Sequence, residues 1–356
     1  MESPRHTPAR NQTMDLCKLL ASFFVVFIHV PFPGQLGSTI SCLARFAVPL
    51  FFMISGYFSY RTDSSRLRRR IVHIVVLNLA AIGVQILWNL FSILTYGGTL
   101  ADFSRTLYVS WGDIAKWLVL NLNPFGGHLW YLGSIFTCYV VLWLYVRFFG
   151  DGEVSYQPLY LLGVCLLSLH FILGEFAAGL GLEIPYQLPR NALLLGLPMF
   201  TMGIFLRQYR ERIMANFHLS AGKMMLLLLG GILLSIGEQQ SCGTCELYVG
   251  TLIAVVMLFL LAAAHPTVPV PGKFLPKLLG RFGAYSTGVY LLHMAVNEYY
   301  MGFRQYGLYL KYGQAEEMLR PLIIVGASLL LAVGWDCLTL ILKWAAGHLH
   351  RLSAVR

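Results

Sequence analysis

Long apolar stretches, separated by short polar segments, follow one another along almost the whole chain. Each has about 17 residues or more, which is enough for a helix to cross the hydrocarbon core of a bilayer. These stretches predict an all-α bundle of about ten transmembrane helices, and they lie near residues 15–33, 42–60, 71–96, 127–149, 157–174, 191–207, 221–237, 247–265, 284–302 and 320–346. Because they consume most of residues 1–356, we expect a single transmembrane domain and no separate soluble one.

The first apolar stretch, from Asp15 to Val30, carries an acid, an amine and an imidazole. On a helix, Lys18 and His29 fall on one stripe, roughly 16 Å apart along the axis. Asp15 lies one turn before Lys18, where an ion pair would offset the cost of bringing either charge into a membrane. The stripe therefore connects one membrane surface with a histidine near the other. A snorkelling Lys18 and a hydrogen-bonded interfacial His29 are the plainer interpretations.

Composition and charge favour a membrane protein and set its expected orientation. The chain is 57% hydrophobic and 12% charged, which is too apolar for a soluble protein of 356 residues. With the N-terminus inside, eighteen Lys and Arg residues fall in cytoplasmic segments and six on the other side. Because basic loops stay cytoplasmic, we expect a multi-pass protein of the plasma or inner membrane with both termini in the cytoplasm. The net charge of +10 then indicates topology and contact with membrane lipid, and nucleic acid is not an expected partner.

Two of the seven cysteines differ from the others. Cys242 and Cys245 lie in a predicted outer loop, SCGTCE, whereas the rest are scattered through the apolar stretches, where they are most simply packing residues. There is no second CxxC and no histidine nearby, so no metal site is expected. A small disulfide loop is the favoured interpretation if that side of the membrane is oxidising.

The second apolar stretch contains an arginine that cannot lose its charge. Arg45 lies in the same outer half of the membrane as His29, and at that depth it needs an anionic or dipolar partner. Pro49 removes a backbone donor, and the Ser55-Gly56 pair permits close contact between helices. A kinked, tightly packed helix is the purely structural interpretation of this stretch.

These two stretches together resemble a known family. The motifs that carry the resemblance are Asp15-x-x-Lys18, then ten residues and His29, and Arg45-x-x-x-Pro49-Leu50-Phe51-Phe52-x-x-Ser55-Gly56-Tyr57. They are similar to the opening of the integral-membrane acyltransferase 3 family, whose members have about ten spans and O-acylate cell-surface glycans and similar acceptors from cytoplasmic acyl-CoA. Lys18 departs from the family pattern, which most often has arginine there, so this chain would lack the bidentate contacts of a guanidinium.

A basic run follows the second stretch, and it fits the same resemblance. The run contains Arg66, Arg68, Arg69 and Arg70 in a predicted cytoplasmic loop. It serves as a positive-inside anchor in any case. The resemblance implies that these arginines also hold the phosphates of acyl-CoA, a task that suits forked guanidinium groups. Acyl-CoA would be a donor substrate, and no permanently bound cofactor is expected.

Two later motifs also match the family. One is His128-Leu129-Trp130-Tyr131-Leu132, at the outer edge of a later span, and the other is Ser286-x-Gly288-x-Tyr290-Leu291-x-His293. We expect His128 within reach of His29, although a solvated loop histidine is equally compatible with the sequence. His293 should lie in mid-membrane, facing a lined cavity or a hydrogen-bonded core. Candidate substrate-site residues are therefore Ser55, Tyr57, His128, Trp130, Tyr290 and His293.

The expected chemistry is acyl transfer from a thioester to a hydroxyl. His29 is the natural general base, with a covalent acyl-histidine relay as the less favoured version. Arg45 would polarise the carbonyl or stabilise charge, while Asp15 and Lys18 would orient the cytoplasmic approach. The expected partners are acyl-CoA, most simply acetyl-CoA, and a cell-surface glycan or lipid-linked saccharide as acceptor.

Two other classes of protein would also place charged residues in membrane spans. A secondary transporter of a small anionic or polar solute usually shows matched halves with paired broken helices, and the sequence has no such symmetry. A haem protein would pair histidines at matching depths, a role that His29 and His293 could fill only with difficulty. The adjacent Arg45 and the absence of a cofactor motif disfavour it.

Overall fold

The protein is a bundle of α-helices. The computed structural model describes residues 11–150, 154–268, 280–305 and 313–353, and these ranges contain no β-strand. The α-helices are α1 (Gln12–His29), α2 (Gly34–Ala44), α3 (Ala47–Tyr57), α4 (Ser64–Thr95), α5 (Leu100–Thr106), α6 (Trp111–Leu120), α7 (Trp130–Phe149), α8 (Gln157–Phe171), α9 (Ala177–Gly179), α10 (Leu197–Asn216), α11 (Ala221–Cys242), α12 (Val249–Ala264), α13 (Phe282–Gln305) and α14 (Gln314–Ser353). A 3₁₀ turn covers Gly127–Leu129, and π-helical segments cover Ile172–Phe176 and Ala192–Gly196.

Eight helical segments of the described residues are long and apolar enough to cross a membrane. Two more helices correspond to the remaining apolar stretches of the sequence. Of these, α12 is apolar but has only 16 residues, and α13 has 24 residues with polar side chains that include His293, Asn297 and Glu298. The predicted all-α membrane bundle is thus confirmed, with ten as an approximate number of spans.

Helix α1 is positioned by its N-cap residue, Asn11, and by contacts along its length. The Asn11 side chain accepts a hydrogen bond from the Met14 N–H at 2.8 Å and so caps the helix. The same side chain donates to the Ala262 carbonyl at the end of α12, at 2.9 Å. Along its length α1 packs against α2, α3, α12, α13 and α14. The position of His29, its last residue, follows from this packing.

The second span is broken at Arg45 and Phe46, between α2 and α3. Pro49 has no N–H to donate to the Arg45 carbonyl, and its ring crowds the same carbonyl. The helix resumes immediately afterwards, since the Leu50 N–H donates to the Phe46 carbonyl at 3.0 Å. The helix is thus interrupted next to Pro49, where the sequence predicts a kink, and Arg45 lies at this interruption.

Helices α3 and α10 approach each other at two glycines. A Cβ atom at Gly56 would lie 1.8 Å from the Phe200 carbonyl oxygen, and one at Gly203 would lie 2.0 Å from the Met53 carbonyl oxygen. Any side chain larger than hydrogen would force the two backbones apart. The close contact predicted from Ser55-Gly56 is therefore confirmed.

Candidate functional site

Three histidines from separate parts of the chain form one cluster, named here the histidine cluster. His29 comes from the end of α1, His128 from the 3₁₀ turn before α7, and His293 from the middle of α13. The centroid of the His293 ring lies 5.3 Å from both the His29 and His128 rings, and the latter two are 6.4 Å apart. The expected proximity of His128 to His29 is confirmed, and His293 joins them.

The protein fixes the tautomer of His293. Its Nδ1 lies 2.7 Å from the Tyr290 carbonyl oxygen and 3.2 Å from the Val289 carbonyl oxygen. Because carbonyl oxygens only accept, Nδ1 carries the hydrogen, and Nε2 of a neutral ring is left with its lone pair. That Nε2 is buried and has no hydrogen-bond partner among the described residues. The histidine is fully buried, as expected for a hydrogen-bonded bundle core.

Tyr290 connects the cluster with the neighbouring aromatic residues. Its hydroxyl donates to the backbone carbonyl of His128 at 2.5 Å, and its ring lies 5.7 Å from that of Tyr131. The tyrosine therefore ties α13 to the turn that carries His128. Tyr290 also lines a cavity of about 310 Å³, named here the central cavity.

The central cavity contains several of the predicted residues. Lys18, Ser55 and Arg70 line it together with Tyr131 and Tyr290. The Lys18 Nζ lies 3.0 Å from the Asp15 carboxylate, so the predicted ion pair is present. This pair brings a balanced charge to a largely apolar space.

Arginines surround a larger cleft at one end of the bundle, named here the arginine cleft. It has a volume of about 700 Å³ and is lined by Arg61, Arg66, Arg70, Arg207 and Arg210. The Tyr57 hydroxyl accepts hydrogen bonds from Arg207 at 3.0 Å and from Arg210 at 3.1 Å. Arg70 lines both the cleft and the central cavity, so the two spaces are neighbours.

The four arginines of the predicted basic run lie in two different environments. Arg66 and Arg70 line the arginine cleft, whereas Arg68 and Arg69 are exposed residues that do not line it. Asp63 accepts from the Arg66 N–H at 2.8 Å and caps α4. Hydrogen bonds from the Ser65 hydroxyl and the Arg66 backbone hold the pKa of the Asp63 carboxyl below its ordinary value.

The opposite end of the bundle has a cavity of about 350 Å³, named here the Glu246 cavity. His29, Arg45, Arg190 and Glu246 line it, with apolar walls that include the π-helical residue Leu173. The Arg45 Nη1 lies 3.0 Å from Glu246 Oε2, and the Arg190 Nη1 lies 3.9 Å from Glu246 Oε1. The anionic partner that Arg45 required is therefore Glu246.

Trp130 does not line the Glu246 cavity but contacts Arg190, which does. Its indole ring is buried, and the Arg190 guanidinium lies over it at 5.0 Å from the ring centroid. Trp130 therefore holds an arginine in place.

Cys242 and Cys245 lie beside the same cavity, and Cys245 lines it. Their sulfurs are 3.9 Å apart, and both are free thiols in this structure. Burial raises the pKa of the Cys245 thiol to about 12, so this thiol is protonated at neutral pH. No group of three or more His, Cys, Asp or Glu side chains suited to a metal ion occurs in the described part of the chain.

The structure adds site residues that the sequence analysis missed. Arg190 and Glu246 were absent from its candidates, as were Arg207 and Arg210. The only sequence signal was weak: Arg207 and Arg210 are three apart near the end of a predicted helix, and so share one face. Nothing in the sequence connects Arg190 with Glu246, because 56 positions separate them. Asp336, an acidic residue within the last apolar stretch, is half-buried and pairs with Arg281.

A multi-pass helical bundle with buried histidines between an arginine cleft and a second polar cavity is consistent with a membrane-bound group transferase. Comparison with known families gives the same class. The chain matches the acyltransferase 3 family, described as an acyltransferase domain, over residues 11–339. It therefore belongs to the acyltransferase 3 family, and the resemblance inferred from the motifs is confirmed. Among curated proteins and among solved structures, none matches this chain.

Proposed function

We propose that this membrane acyltransferase transfers an acetyl group from acetyl-CoA to a hydroxyl of a cell-surface glycan or lipid-linked saccharide. The observation that carries the proposal is that the arginine cleft, the central cavity, the histidine cluster and the Glu246 cavity follow one another along the bundle. The arginine cleft shares Phe58 and Arg70 with the central cavity, Tyr290 of the central cavity contacts the histidine cluster, and His29 of that cluster lines the Glu246 cavity. A donor and an acceptor could thus approach the cluster from opposite sides.

The arginine cleft is the proposed site for the phosphates of the donor. Five guanidinium groups line it, and phosphate groups are well matched by their forked donors. No acidic residue lines the cleft in the described part of the chain, although Asp63 pairs with Arg66 and Glu211 pairs with Arg210. The positive-inside distribution supports a cytoplasmic position for this end of the bundle and for both termini. The protein would then lie in the plasma or inner membrane with the cleft facing cytoplasmic acetyl-CoA.

The acyl arm of the donor would extend through the central cavity towards Tyr290. Lys18 and Asp15 lie along this route as a paired charge, so they would orient the arm without adding net charge. Ser55 and Tyr131 line the same cavity and supply hydroxyl groups in its wall. Tyr57 instead orders Arg207 and Arg210 at the mouth of the route.

The proposed transfer is a single step at His29. The imidazole of His29 takes the proton from the acceptor hydroxyl as its oxygen attacks the thioester carbonyl. The carbon–sulfur bond then breaks, the acetyl group remains on the acceptor oxygen, and the proton from His29 is returned to the CoA thiolate. Arg45 would stabilise the negative charge that develops on the carbonyl oxygen. His293, with an accepting Nε2, would support the imidazolium of His29 while it holds the proton.

Release of free CoA by the purified protein tests this function. With acetyl-CoA and candidate glycan acceptors, we expect the wild type to release CoA and to acetylate the acceptor. His29→Ala should lower the rate by at least about 10²-fold, which is the usual contribution of a general base. His218→Asn is the matched control, because His218 is exposed and has φ 48°, a backbone conformation that asparagine tolerates.

Two outcomes would contradict the proposal in different ways. Equal CoA release by the wild type and by a folded His29→Ala variant would remove His29 from the chemistry. If the wild type neither releases CoA nor binds acetyl-CoA, acetyl-CoA is excluded as the donor. That result would favour a transporter of a small anionic solute instead. Loss of activity in His218→Asn would show that the assay reports folding and not catalysis.

A further inference from the structure

The Glu246 cavity has more positive than negative charge. Arg45, Arg190 and Glu246 are the only charged residues that line it within the described part of the chain. Their side chains are only 12%, 15% and 13% exposed, so solvent screens them weakly. One carboxylate faces two guanidinium groups, and one positive charge is left without a partner. Such a charge in a partly enclosed space favours an anionic ligand.

The unmatched charge has a defined location. Glu246 Oε2 is 3.0 Å from Arg45, whereas Glu246 Oε1 is 3.9 Å from Arg190, so the carboxylate binds Arg45 more closely. The Arg190 guanidinium contacts two aromatic rings, 5.0 Å from the centroid of Trp130 and 5.4 Å from that of Tyr186. These contacts restrain the guanidinium group, and Arg190 lines the cavity. Arg45 adds a buried Nε that has no partner among the described residues.

Two other acidic residues near this end of the bundle have different roles. Glu175 accepts the Val249 N–H at 3.0 Å, and Glu238 accepts the Gly250 N–H at 2.9 Å. They therefore satisfy the first N–H groups of α12, where negative charge is stabilising. Neither residue lines the Glu246 cavity. The excess positive charge of the cavity thus remains.

We propose that the acceptor carries an anionic group, a carboxylate or a phosphate, which binds Arg190 and holds the reacting hydroxyl against His29. This inference rests on the proposed function, because it specifies the acceptor of the same reaction. Forked guanidinium groups bind carboxylate and phosphate in a fixed orientation, which would set which hydroxyl meets the base. Tyr186 is exposed beside Arg190 and offers an aromatic surface to the sugar ring. An acidic sugar and the phosphate of a lipid-linked saccharide are the two sources of such a group.

Binding of small sugars tests the inference without knowledge of the natural acceptor. The probes are D-glucuronate, glucose 1-phosphate and the neutral methyl glucoside, added to the detergent-purified protein at constant ionic strength. At about ten times its dissociation constant, a bound sugar should raise the melting temperature by about 2 °C. We expect this shift with one or both anionic sugars and none with methyl glucoside. A shift with glucuronate only would indicate an acidic sugar, and one with glucose 1-phosphate only would indicate a phosphate.

Variants of Arg190 assign the binding to this cavity. Arg190→Gln should abolish the shift, and Arg190→Lys should keep part of it, because charge is retained while the fork is lost. Arg105→Gln is the matched control, since Arg105 is 80% exposed and pairs with Asp102 away from the cavity. No shift with either anionic sugar in the wild type, or a shift that survives Arg190→Gln, would overturn the inference.

Acyl transfer to the same probes separates this inference from the function on which it rests. We expect kcat/KM to be at least about tenfold higher for an anionic sugar than for methyl glucoside, and Arg190→Gln to remove the difference through KM. Equal kcat/KM for all three sugars would overturn the anionic acceptor while leaving acyl transfer intact. An Arg190-dependent shift without acetyl transfer to any probe, and without acetyl-CoA binding, would overturn the acyltransferase proposal and leave the anion site intact.

Discussion

His293 differs from the other histidines of the cluster because two backbone carbonyls determine which of its nitrogens carries the hydrogen. They come from Tyr290 and Val289, in the turn of α13 just before it. A histidine in a helix can bond to these carbonyls only by turning Nε2 away from its own helix. In this bundle Nε2 is buried without a partner among the described residues, in a ring that lies 5.3 Å from those of His29 and His128. A lone pair of this kind is suited to accept a hydrogen from a neighbouring imidazole, so His293 is a candidate positioning residue.

His293→Ala should lower kcat for acetyl transfer by about 10²-fold and leave the KM of acetyl-CoA within about threefold. The reason is that the variant removes the accepting nitrogen but none of the groups that line the arginine cleft. His293→Gln should restore part of kcat, because its amide oxygen can still accept. A rise in KM with kcat unchanged would contradict this role and would make His293 a structural residue of the core.

Helix α4 presents its basic residues to two different environments. Over one helical turn, Arg66 and Arg70 share a face that points into the arginine cleft, while Arg68 and Arg69 point to the exterior. Arg70 is fixed further by donating to the Ser59 hydroxyl at 2.6 Å and to the Phe58 carbonyl at 2.8 Å. The start of the helix therefore decides which arginines can contact a ligand.

Asp63→Ala should destabilise the start of α4 by about 1 kcal/mol and raise the KM of acetyl-CoA, because the cap that fixes Arg66 is lost. Asp63→Asn should keep the melting temperature, since its amide oxygen can still accept the Arg66 N–H. The pKa of Asp63 is lowered in the folded protein, so its contribution is present at neutral pH and is lost as the pH falls through the folded pKa. Thermal unfolding and acetyl-CoA kinetics of both variants check this, and equal loss of stability in the two would refute the role of the cap.

At the scale of the whole molecule, the sequence predicted those features of the fold and site that depend on local patterns and motifs. The apolar stretches predicted the helices, Pro49 predicted the kink, and the family motifs singled out His29, His128 and His293 before their contacts were known. The Asp15 to Lys18 pair was also predictable, because it depends only on spacing within one helix.

The unpredicted part depends on which distant segments meet. Arg190 and Glu246 come from separate connections between spans, and they meet only because the ends of those spans pack together. Arg207 and Arg210 belong to α10, whose approach to α3 brings them to Tyr57. Charges in loops resemble topology signals in a sequence, so their role in a cavity could be recognised only from the tertiary structure.

The close contact between α3 and α10 connects the stability of the bundle with the shape of the arginine cleft. A Cβ at Gly203 would lie 2.0 Å from the Met53 carbonyl oxygen, and this backbone oxygen cannot move without displacing α3. Gly203→Ala should therefore cost about 3 kcal/mol or more, which is at the upper end for overpacking. Because α3 carries Tyr57 and α10 carries Arg207, separating the helices should also raise the KM of acetyl-CoA. Gly230→Ala, where a Cβ would meet no atom within 4 Å, is the control and should neither lower the stability nor raise the KM. An unchanged melting temperature in Gly203→Ala would show that the two helices can separate without cost, and that the cleft does not depend on their contact.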